Sequence, residues 1–450
     1  MSPTPDAGPH APALLVDRPP LLLDLCSRLQ ATARVALDTE GNSLHAYRER
    51  TCVVQLSTEH ESAIIDPLVL DTLEPLRAAL VRPGVELVLH GGDYDIAMLS
   101  RDHGFAFGQL FDTMLAATLL GEPKVGLADL AAQHLGVALD KSLQKADWAE
   151  RPLGPRHLAY LQGDTQWLLA LRDLLGARLV EQDLVEEAEI EFRRLAGRRP
   201  RERLPEGERW REQQGAEALG EAGRAALAAA WAWREEEGAR RNVPTFKVLP
   251  PQAWVLVARE AERAGTGRGA LAPLYPRDAQ RHGAALSAAV EHGLAEARAG
   301  RAPAALERPR ASEEERQAQR RRRAREEALR DWRRAEAAAR KVPNVVVLPN
   351  PALEWLSGAS AVTLETLASA ADIGPKRVAR YGEARVTLLA PLPQAPPLPR
   401  ARGPAAARAR RRRLVPSTPG ARPRPRAQAS PPRQPGRAQP PCGPGRRRGP

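Results

Sequence analysis

The sequence is poor in cysteine and in aromatic residues, and it has no long apolar run. Its three cysteines, Cys26, Cys52 and Cys442, stand far apart among 450 residues. That number and spacing exclude a disulfide framework and a metal site of the CxxC type. No segment contains the roughly 18 consecutive apolar residues that would predict a membrane-spanning helix.

The N-terminal segment, residues 1–20, also lacks the features of an export signal. It has neither a basic start nor a sustained apolar run. Together with the few scattered cysteines, this predicts a soluble, cytoplasmic protein that has no membrane partner. A chain of 450 residues is long enough for about three domains, each with its own core.

Acidic residues and lysine are absent from the C-terminal segment 396–450, which contains 15 arginines. Without this segment the net charge falls from +12 to −3. Residues 1–190 have a net charge of −13, and residues 191–395 have a net charge of +10. An acidic domain repels a polyanion unless bound cations reverse the local field, so this distribution favours a metal-loaded site followed by basic segments that bind nucleic acid. Alternatively, most of these acidic side chains only keep the domain soluble.

Residues 1–195 alternate strand-like and helical patterns, which predicts an α/β domain with a mixed sheet and flanking helices. Strand-like apolar runs cover residues 34–37, 52–56, 62–65 and 86–89. Helical patterns follow at residues 93–103, 111–120, 126–135 and 156–180. The short turn between the second and third strands predicts a meander early in the sheet.

Beyond residue 200 the strand patterns fade and a repeat appears. The dipeptides Trp-Arg and Val-Pro, at residues 233–234 and 243–244, recur 99 residues later. The repeat predicts two small all-helical domains, at residues 222–297 and 324–392. Residues 393–450 are mainly Pro, Arg, Gly and Ala, a composition that predicts a disordered tail.

Five polar residues stand at positions where a sheet and a helix could bring them together. Asp38 and Glu40 lie two residues apart at the end of a strand, so their side chains point to the same face of the sheet. Asp95 follows another strand after a Gly-Gly turn. Tyr160 and Asp164 are four residues apart in a helical pattern, so they share a helix face.

Carboxylate clusters of this kind bind hard divalent cations. Mg²⁺ and Mn²⁺ prefer oxygen ligands, and two such ions can activate a water and stabilise the charge that develops on a phosphodiester. A tyrosine hydroxyl can orient that water but is a poor base at its usual pKa. Taken singly, each residue has a more ordinary structural interpretation. Their joint pattern predicts a site with two divalent cations, Mg²⁺ or Mn²⁺.

The motifs that carry these residues resemble ribonuclease D, a member of the DEDD exonuclease superfamily. They are ALDTE, the spacing H-x-x-x-x-D from His90 to Asp95, the sequence Phe111-Asp112-Thr113, and the segment from Asp147 to Asp164. Tyr160 matches the tyrosine (DEDDy) branch, and the repeated Trp-Arg and Val-Pro segments resemble HRDC domains. Ribonuclease D has an exonuclease domain followed by two HRDC domains, which is the order found here.

The resemblance implies an RNase H-like fold, metal ligands at Asp38, Glu40, Asp95 and Asp164, and a water-orienting role for Tyr160. It also implies 3′-to-5′ release of 5′-nucleoside monophosphates, with tRNA precursors and other small structured RNAs as the substrates. We expect a monomer that needs no small-molecule cofactor besides the cations. The segment Leu161-Gln162-Gly163 departs from the family pattern, in which small residues stand between the tyrosine and the last aspartate.

Further contacts to nucleic acid are predicted at Thr39, Lys145, Trp148, Arg410, Arg411, Arg412 and Arg413. Trp148 either stacks on a terminal base or shapes the helix that carries Tyr160, and we favour the structural role. Lys145 either contacts a phosphate or is only solvated. The tail arginines either hold phosphates or belong to a low-complexity extension.

Two other functions are compatible with the same motifs. A Werner-type DNA 3′-to-5′ exonuclease also pairs a DEDDy domain with an HRDC domain, and these residues do not discriminate a 2′-hydroxyl. The lack of a helicase segment favours RNA. A catalytically silent RNA-binding scaffold is the non-enzymatic alternative, and the presence of all five site residues argues against it.

Overall fold

The structure is a computed structural model that describes residues 11–198, 204–305, 312–359, 361–370 and 372–392. The predicted disordered tail, including Arg410 to Arg413, lies outside the described residues. None of the helices within these ranges combines the length and the apolar character that a bilayer crossing requires.

The first domain is built on a mixed sheet, as predicted, and this sheet has six strands. Its strands are β1 (Leu14–Val16), β2 (Arg34–Gly41), β3 (Thr51–Ser57), β4 (Ser62–Ile65), β5 (Glu86–Leu89) and β6 (Leu110–Asp112). They lie in the order β1-β4-β3-β2-β5-β6. The β2–β3 and β3–β4 pairs are antiparallel and form the predicted meander, whereas the β1–β4, β2–β5 and β5–β6 pairs are parallel.

The two edge strands, β1 and β6, were not predicted from the sequence. Each has only three residues, which is too short for an alternating pattern to be detected. They become strands through pairing with distant segments: Leu15 lies opposite Ile64, and Phe111 lies opposite Val88.

Helices cover both faces of this sheet. They are α1 (Pro19–Leu29), α2 (Glu74–Leu80), α3 (Asp93–His103), α4 (Thr113–Leu119), α5 (Leu127–Leu135), α6 (Pro155–Gly163), α7 (Leu168–Glu181) and α8 (Val185–Ala196). A large core of aliphatic side chains fills one face. A smaller core fills the other and consists of Cys52, Val53, Ile64, Trp148, Tyr160 and Leu161.

The pattern at residues 156–180 predicts one helix, but the structure has two. Helix α6 ends at Gly163, Asp164 takes the C-cap position, and α7 begins at Leu168. Glycine is a poor helix former, and the Thr165 and Ser57 hydroxyls form a buried hydrogen bond of 2.7 Å between this turn and β3. This hydrogen bond fixes the turn beside Asp164 to the sheet.

The remaining helices form two clusters, each with its own apolar core. The first contains α9 (Glu221–Arg241), α10 (Ala253–Ala264) and α11 (Pro276–Arg298). The second contains α12 (Glu313–Arg340), α13 (Asn344–Val347), α14 (Asn350–Gly358), α15 (Leu364–Ala368) and α16 (Pro375–Leu389). Helix α12 begins before the predicted boundary at residue 324 because Ser312 caps it, accepting a hydrogen bond of 3.0 Å from the Glu315 amide.

Equivalent aromatic pairs occur in the two helical clusters. The ring of Trp233 meets His282 edge-on at 5.7 Å, and the ring of Trp332 meets Tyr381 edge-on at 5.6 Å. The same offset of 99 residues relates both members of the two pairs. Both tryptophans are partly buried against their cores, in agreement with a packing role.

The second helical cluster shares its core with the first domain. Val346 of α13 is 1% exposed and belongs to the large core beneath the sheet. The buried Arg377 guanidinium donates to the carbonyls of Val345 at 3.1 Å and Val346 at 2.9 Å, which holds α13 in place. The Lys376 amide also donates to Glu186 of α8 at 2.9 Å.

The first helical cluster contacts the loop between β2 and β3 through polar groups. The Tyr47 hydroxyl donates to Glu235 at 2.9 Å, and the Tyr47 amide donates to the Asn242 side chain at 3.3 Å. Asn242 adopts a left-handed conformation with φ of 48° at the end of α9. Its side-chain carbonyl accepts the hydrogen bond from the loop. The loop that follows β2 is therefore fixed from outside the first domain.

Replacing Val346 by Ala tests the shared core. We expect the free energy of unfolding to fall by about 2 kcal/mol, because two buried methyl groups are lost and a cavity is left. Urea unfolding followed by tryptophan fluorescence measures the change. Val180→Ala is the matched control, since the Val180 side chain is 67% exposed. Equal effects of the two substitutions would contradict a shared core.

Candidate active site

Strand β2 presents Asp38 and Glu40 on one face of the sheet, as the alternation of strand side chains requires. The strand register becomes irregular directly after Glu40, at Gly41. A Cβ atom added at Gly41 would lie 2.8 Å from the Tyr94 hydroxyl and 2.9 Å from the Met98 sulfur. A side chain at this position would displace Tyr94 and Met98, because α3 approaches the end of β2 closely.

Asp95 lies in the first turn of α3 and is 5% exposed. The Gly-Gly turn before α3 needs its first glycine, since Gly91 has a φ of +67°. The amide of Gly92 donates to the Asp112 carboxylate at 2.8 Å, and Asp112 also caps α4 by accepting from the Leu115 amide at 2.8 Å. Asp112 therefore ties the turn that carries Asp95 to β6 and α4.

Asp164 is held by a chain of buried hydroxyl groups. Thr165, the next residue, bonds to Ser57 at 2.7 Å, and Ser57 bonds to Ser62 at 2.8 Å. The three side chains are at most 3% exposed, so these hydrogen bonds are shielded from water. They connect the end of α6 to strands β3 and β4.

The structure brings the predicted carboxylates together. Asp38, Glu40 and Asp164 each offer an oxygen atom, and these atoms all lie within 4.8 Å of one another. Asp95 is held beside them by the hydroxyl of Thr39, which donates to its carboxylate at 2.5 Å. An all-oxygen set of this size suits a hard divalent cation such as Mg²⁺ or Mn²⁺ and is a poor match for a soft metal.

Burial and mutual repulsion raise the pKa of these carboxylates. Burial, with added repulsion from Asp164 and Asp95, raises the pKa of Glu40 to about 8. Burial raises the pKa of Asp164 to about 7 and that of Asp95 to about 6, although the Thr39 hydrogen bond opposes the change at Asp95. The pKa of Asp38 is raised by burial and by all three neighbours. Such a cluster favours either protons or cations.

Tyr160 packs beside the carboxylates on α6. Its ring is 7% exposed and lies 5.6 Å from that of Trp148. Burial, together with the negative charges of Asp164, Glu40 and Asp38, raises the pKa of the Tyr160 phenol. The raised pKa favours the protonated phenol in the metal-free chain, and a protonated hydroxyl can hydrogen-bond to a water.

Trp148 is 2% exposed, and its ring lies between Tyr160 and His157. This burial favours the packing role for Trp148, and the stacking contact with a terminal base stays a prediction. Arg151 reinforces this segment by donating to the Trp148 carbonyl at 2.7 Å and the Cys52 carbonyl at 2.8 Å. Both residues shape the support beneath α6.

The other predicted nucleic-acid contacts stay predictions. Thr39 is 5% exposed and its hydroxyl is engaged with Asp95. The Lys145 side chain is exposed, and its carbonyl hydrogen-bonds to the His45 ring at 2.9 Å. Arg410 to Arg413 lie outside the described residues.

A cleft of about 140 Å³ lies between α6 and the segment that precedes it. It is lined by Leu139, Asp140, Arg156, Ala159, Tyr160, Gly163 and Asp164. Arg156 brings a positive charge to this cleft and donates to Ser142 at 2.9 Å. A larger cavity of about 610 Å³ lies among β6, α7 and α8, but it contains none of the clustered carboxylates. We therefore assign the chemistry to the smaller cleft.

Sequence reasoning did not assign a role to Asp112, Thr165 or Arg156. Asp112 had a detectable signal, because an aspartate directly before a helical pattern is a common N-cap. The roles of Thr165 and Arg156 depend on contacts with distant segments, and no local pattern marks them.

Comparisons with known proteins identify two parts of the chain. Residues 15–179 match the 3′-5′ exonuclease family, and residues 322–388 match the HRDC domain. The fold, the carboxylate cluster and this match define the first domain as a DEDD-type 3′-5′ exonuclease domain, a class that uses divalent metal ions. The resemblance predicted from the sequence motifs is confirmed.

Relatives of the chain include proteins named ribonuclease D and exosome complex component 10. The chain is 36% identical over 180 residues to the exosome complex component 10 homolog of Caenorhabditis elegans, which covers 40% of this chain and 20% of the nematode protein. It is 33% identical over 192 residues to ribonuclease D of Cronobacter turicensis, which covers 42% of this chain and 52% of that protein. The chain thus matches about half or less of these relatives' length.

Two solved structures share the fold. The crystal structure of Escherichia coli RNase D aligns with a TM-score of 0.61 and 24% identity, and covers 85% of this chain and 100% of that chain. A protein from Bifidobacterium adolescentis aligns with a TM-score of 0.65 and 19% identity, and covers 84% of this chain and 97% of that one. The predicted RNase H-like domain followed by helical domains is therefore confirmed as the fold.

The raised carboxylate pKa values predict an unusual pH dependence of stability without metal. Because Glu40 has a pKa of about 8 in the folded chain and 4.5 as its ordinary value, it lowers stability progressively as the pH rises between these values. Glu40→Gln should therefore increase the free energy of unfolding at pH 8 in EDTA by about 1–2 kcal/mol, and have little effect at pH 4.5. Urea unfolding across this pH range measures both.

The matched control for this prediction is Glu189→Gln, since the Glu189 side chain is 59% exposed on α8. Added Mg²⁺ should stabilise the wild-type chain more than the Glu40→Gln variant, because a cation that binds only the folded state shifts unfolding by mass action. A Glu40→Gln variant that is less stable than wild type at pH 8 in EDTA would show that Glu40 is not repelled by its neighbours.

Proposed function

We propose that the protein is a divalent-metal-dependent 3′-to-5′ exoribonuclease that releases 5′-nucleoside monophosphates. The observation that carries this proposal is the cluster of Asp38, Glu40 and Asp164 within 4.8 Å, in a domain of the 3′-5′ exonuclease family. Asp95 beside the cluster and Tyr160 in the adjoining cleft complete the set expected for a DEDDy enzyme.

The substrates that we propose are the 3′ ends of tRNA precursors and other small structured RNAs. The relatives named ribonuclease D and exosome component 10 support RNA as the substrate class. The solved E. coli protein is described as an exoribonuclease involved in structured RNA processing. We further propose that the enzyme works as a cytoplasmic monomer.

In this proposal Asp38, Glu40, Asp95 and Asp164 hold two divalent cations, Mg²⁺ or Mn²⁺. The cations, when bound, would lower the pKa of the attacking water and neutralise charge on the scissile phosphate and the leaving 3′ oxygen. The carboxylates must first give up their protons, and their raised pKa values make cation binding pH-dependent.

Tyr160 would orient the water toward the phosphate. Burial, the largest cause of its raised pKa, favours the protonated phenol, which can hydrogen-bond to the water in a fixed direction. The packing of its ring against Trp148 limits its rotation and supports this role. Arg156 at the same cleft would offset part of the negative charge that an RNA backbone meets there.

The helical clusters would hold the RNA while the first domain cuts it. We propose that residues 222–297 form a second HRDC domain, supported by the aromatic pairs at the same offset in both clusters. The net charge of +10 over residues 191–395 supports phosphate contacts by this part of the chain. The acidic exonuclease domain would then need bound cations to offset its repulsion of the RNA phosphates.

Removal of single carboxylates tests the catalytic centre. Asp38→Ala and Asp164→Asn should each abolish nucleotide release, because loss of a direct ligand should exceed the roughly 10–100-fold cost of losing an outer partner. RNA binding and folding should be nearly unchanged. Release of 5′-nucleoside monophosphates in Mg²⁺ or Mn²⁺ measures activity, and circular dichroism measures folding.

Asp140→Asn serves as the control for these variants. Asp140 lines the same cleft but is not one of the three clustered carboxylates, so we expect near wild-type turnover. Turnover by Asp38→Ala or Asp164→Asn at the wild-type rate, with either metal supplied, would exclude the proposed centre.

The substrate proposal predicts a preference that sequence motifs do not show. A 3′-extended tRNA precursor incubated with the protein and Mg²⁺ should give a ladder of products that shortens from the 3′ end, and omission of the metal should stop it. A matched DNA oligonucleotide should be degraded more slowly than its RNA counterpart, since the 2′-hydroxyl distinguishes the two. Faster digestion of DNA would favour the Werner-type alternative.

A further inference from the structure

Gln55, at the centre of β3, is an unusual buried side chain. It is 0% exposed, and neither its amide nitrogen nor its carbonyl oxygen has a hydrogen-bond partner among the described residues. A buried carboxamide without partners destabilises a fold, and an apolar side chain of the same shape would be tolerated better. Packing alone therefore does not explain a glutamine at this position.

The strand register places Gln55 directly beside the carboxylate cluster. In the antiparallel β2–β3 pair Gln55 lies opposite Asp38, and in the β3–β4 pair it lies opposite Ile64. Residues that are directly opposite share a face of the sheet, and their Cβ atoms are about 4.5–5.5 Å apart. Ile64 belongs to the small core with Tyr160, so Gln55 stands on the face that carries the site.

A second buried glutamine shows what a structural carboxamide looks like in this domain. Gln162 is 8% exposed, its carbonyl accepts from the Ala13 amide at 3.1 Å, and its amide nitrogen donates to the Ala11 carbonyl at 2.9 Å. Both of its polar groups hold the N-terminal segment against α6. Gln55 makes no such contact, although it is the more deeply buried of the two.

We propose that Gln55 is a positioning residue for Asp38. A rotation of the Gln55 side chain, from the position in the structure where it has no partner, lets its amide N–H donate to the Asp38 carboxylate, and this hydrogen bond holds Asp38 in the orientation that binds a divalent cation. The reach is sufficient, because rotation of a glutamine side chain spans the distance between directly opposite strand residues. Hydrogen bonds of this kind orient metal ligands and increase their affinity for the metal. The inference rests on the proposed function, since it takes Asp38 as a ligand.

The test uses Gln55→Leu in the full-length protein, with Gln162→Leu as the matched control. Isothermal titration with MgCl₂ or MnCl₂ measures cation affinity, and urea unfolding in EDTA measures stability. We expect Gln55→Leu to bind the cation about 10–100-fold more weakly than wild type. We also expect its urea midpoint to be unchanged or higher, whereas Gln162→Leu should have a lower midpoint.

Weaker cation binding without a loss of stability would distinguish a positioning role of Gln55 from a packing role. A Gln55→Leu variant that binds Mg²⁺ and Mn²⁺ as tightly as wild type would overturn the inference. So would a variant with a lower urea midpoint or one that fails to fold, because Gln55 would then be a structural carboxamide like Gln162. A wild-type chain that binds neither cation would instead reject the proposed function itself, before any variant is compared.

Discussion

The crowding of negative charge at the end of β2 is the constraint on which the rest of this structure depends. Asp95 is buried, Asp38, Glu40 and Asp164 are half-buried, and burial raises the pKa of each. Such a cluster costs stability at neutral pH until protons or cations offset the charge. The apolar cores on both faces of the sheet must supply the free energy that keeps the carboxylates together.

The segments that carry the carboxylates are held by contacts from different parts of the chain. Close packing at Gly41 allows α3 to approach β2, and Asp112 fixes the turn that leads into α3. The hydroxyl of Thr165 fastens the end of α6 to the sheet beside Asp164.

The helical clusters also contact the first domain. Val346 places the second cluster in the large core of the exonuclease domain, whereas Tyr47 links the first cluster to the loop after β2 by hydrogen bonds. Basic segments that are fixed to an acidic domain in this way can hold a polyanion near a site that would otherwise repel it. The basic part of the chain, residues 191–395, is thus attached to the acidic domain by a shared core and by hydrogen bonds.

The sequence by itself determined the features that depend on local geometry. The alternation of a strand placed Asp38 and Glu40 on one face, the Gly-Gly turn brought Asp95 to a helix start, and the 99-residue offset marked the repeated helices. The order and spacing of the motifs predicted one metal site more strongly than any single residue did.

Only the tertiary structure decided the features that arise from contacts between distant segments. The break after Gly163, the burial of Trp148 and the position of Gln55 opposite Asp38 each require a neighbour that is far away in sequence. The same holds for the three-residue strands at the sheet edges. A local pattern reports which face a side chain takes, but packing and burial depend on what the folded chain brings against that face.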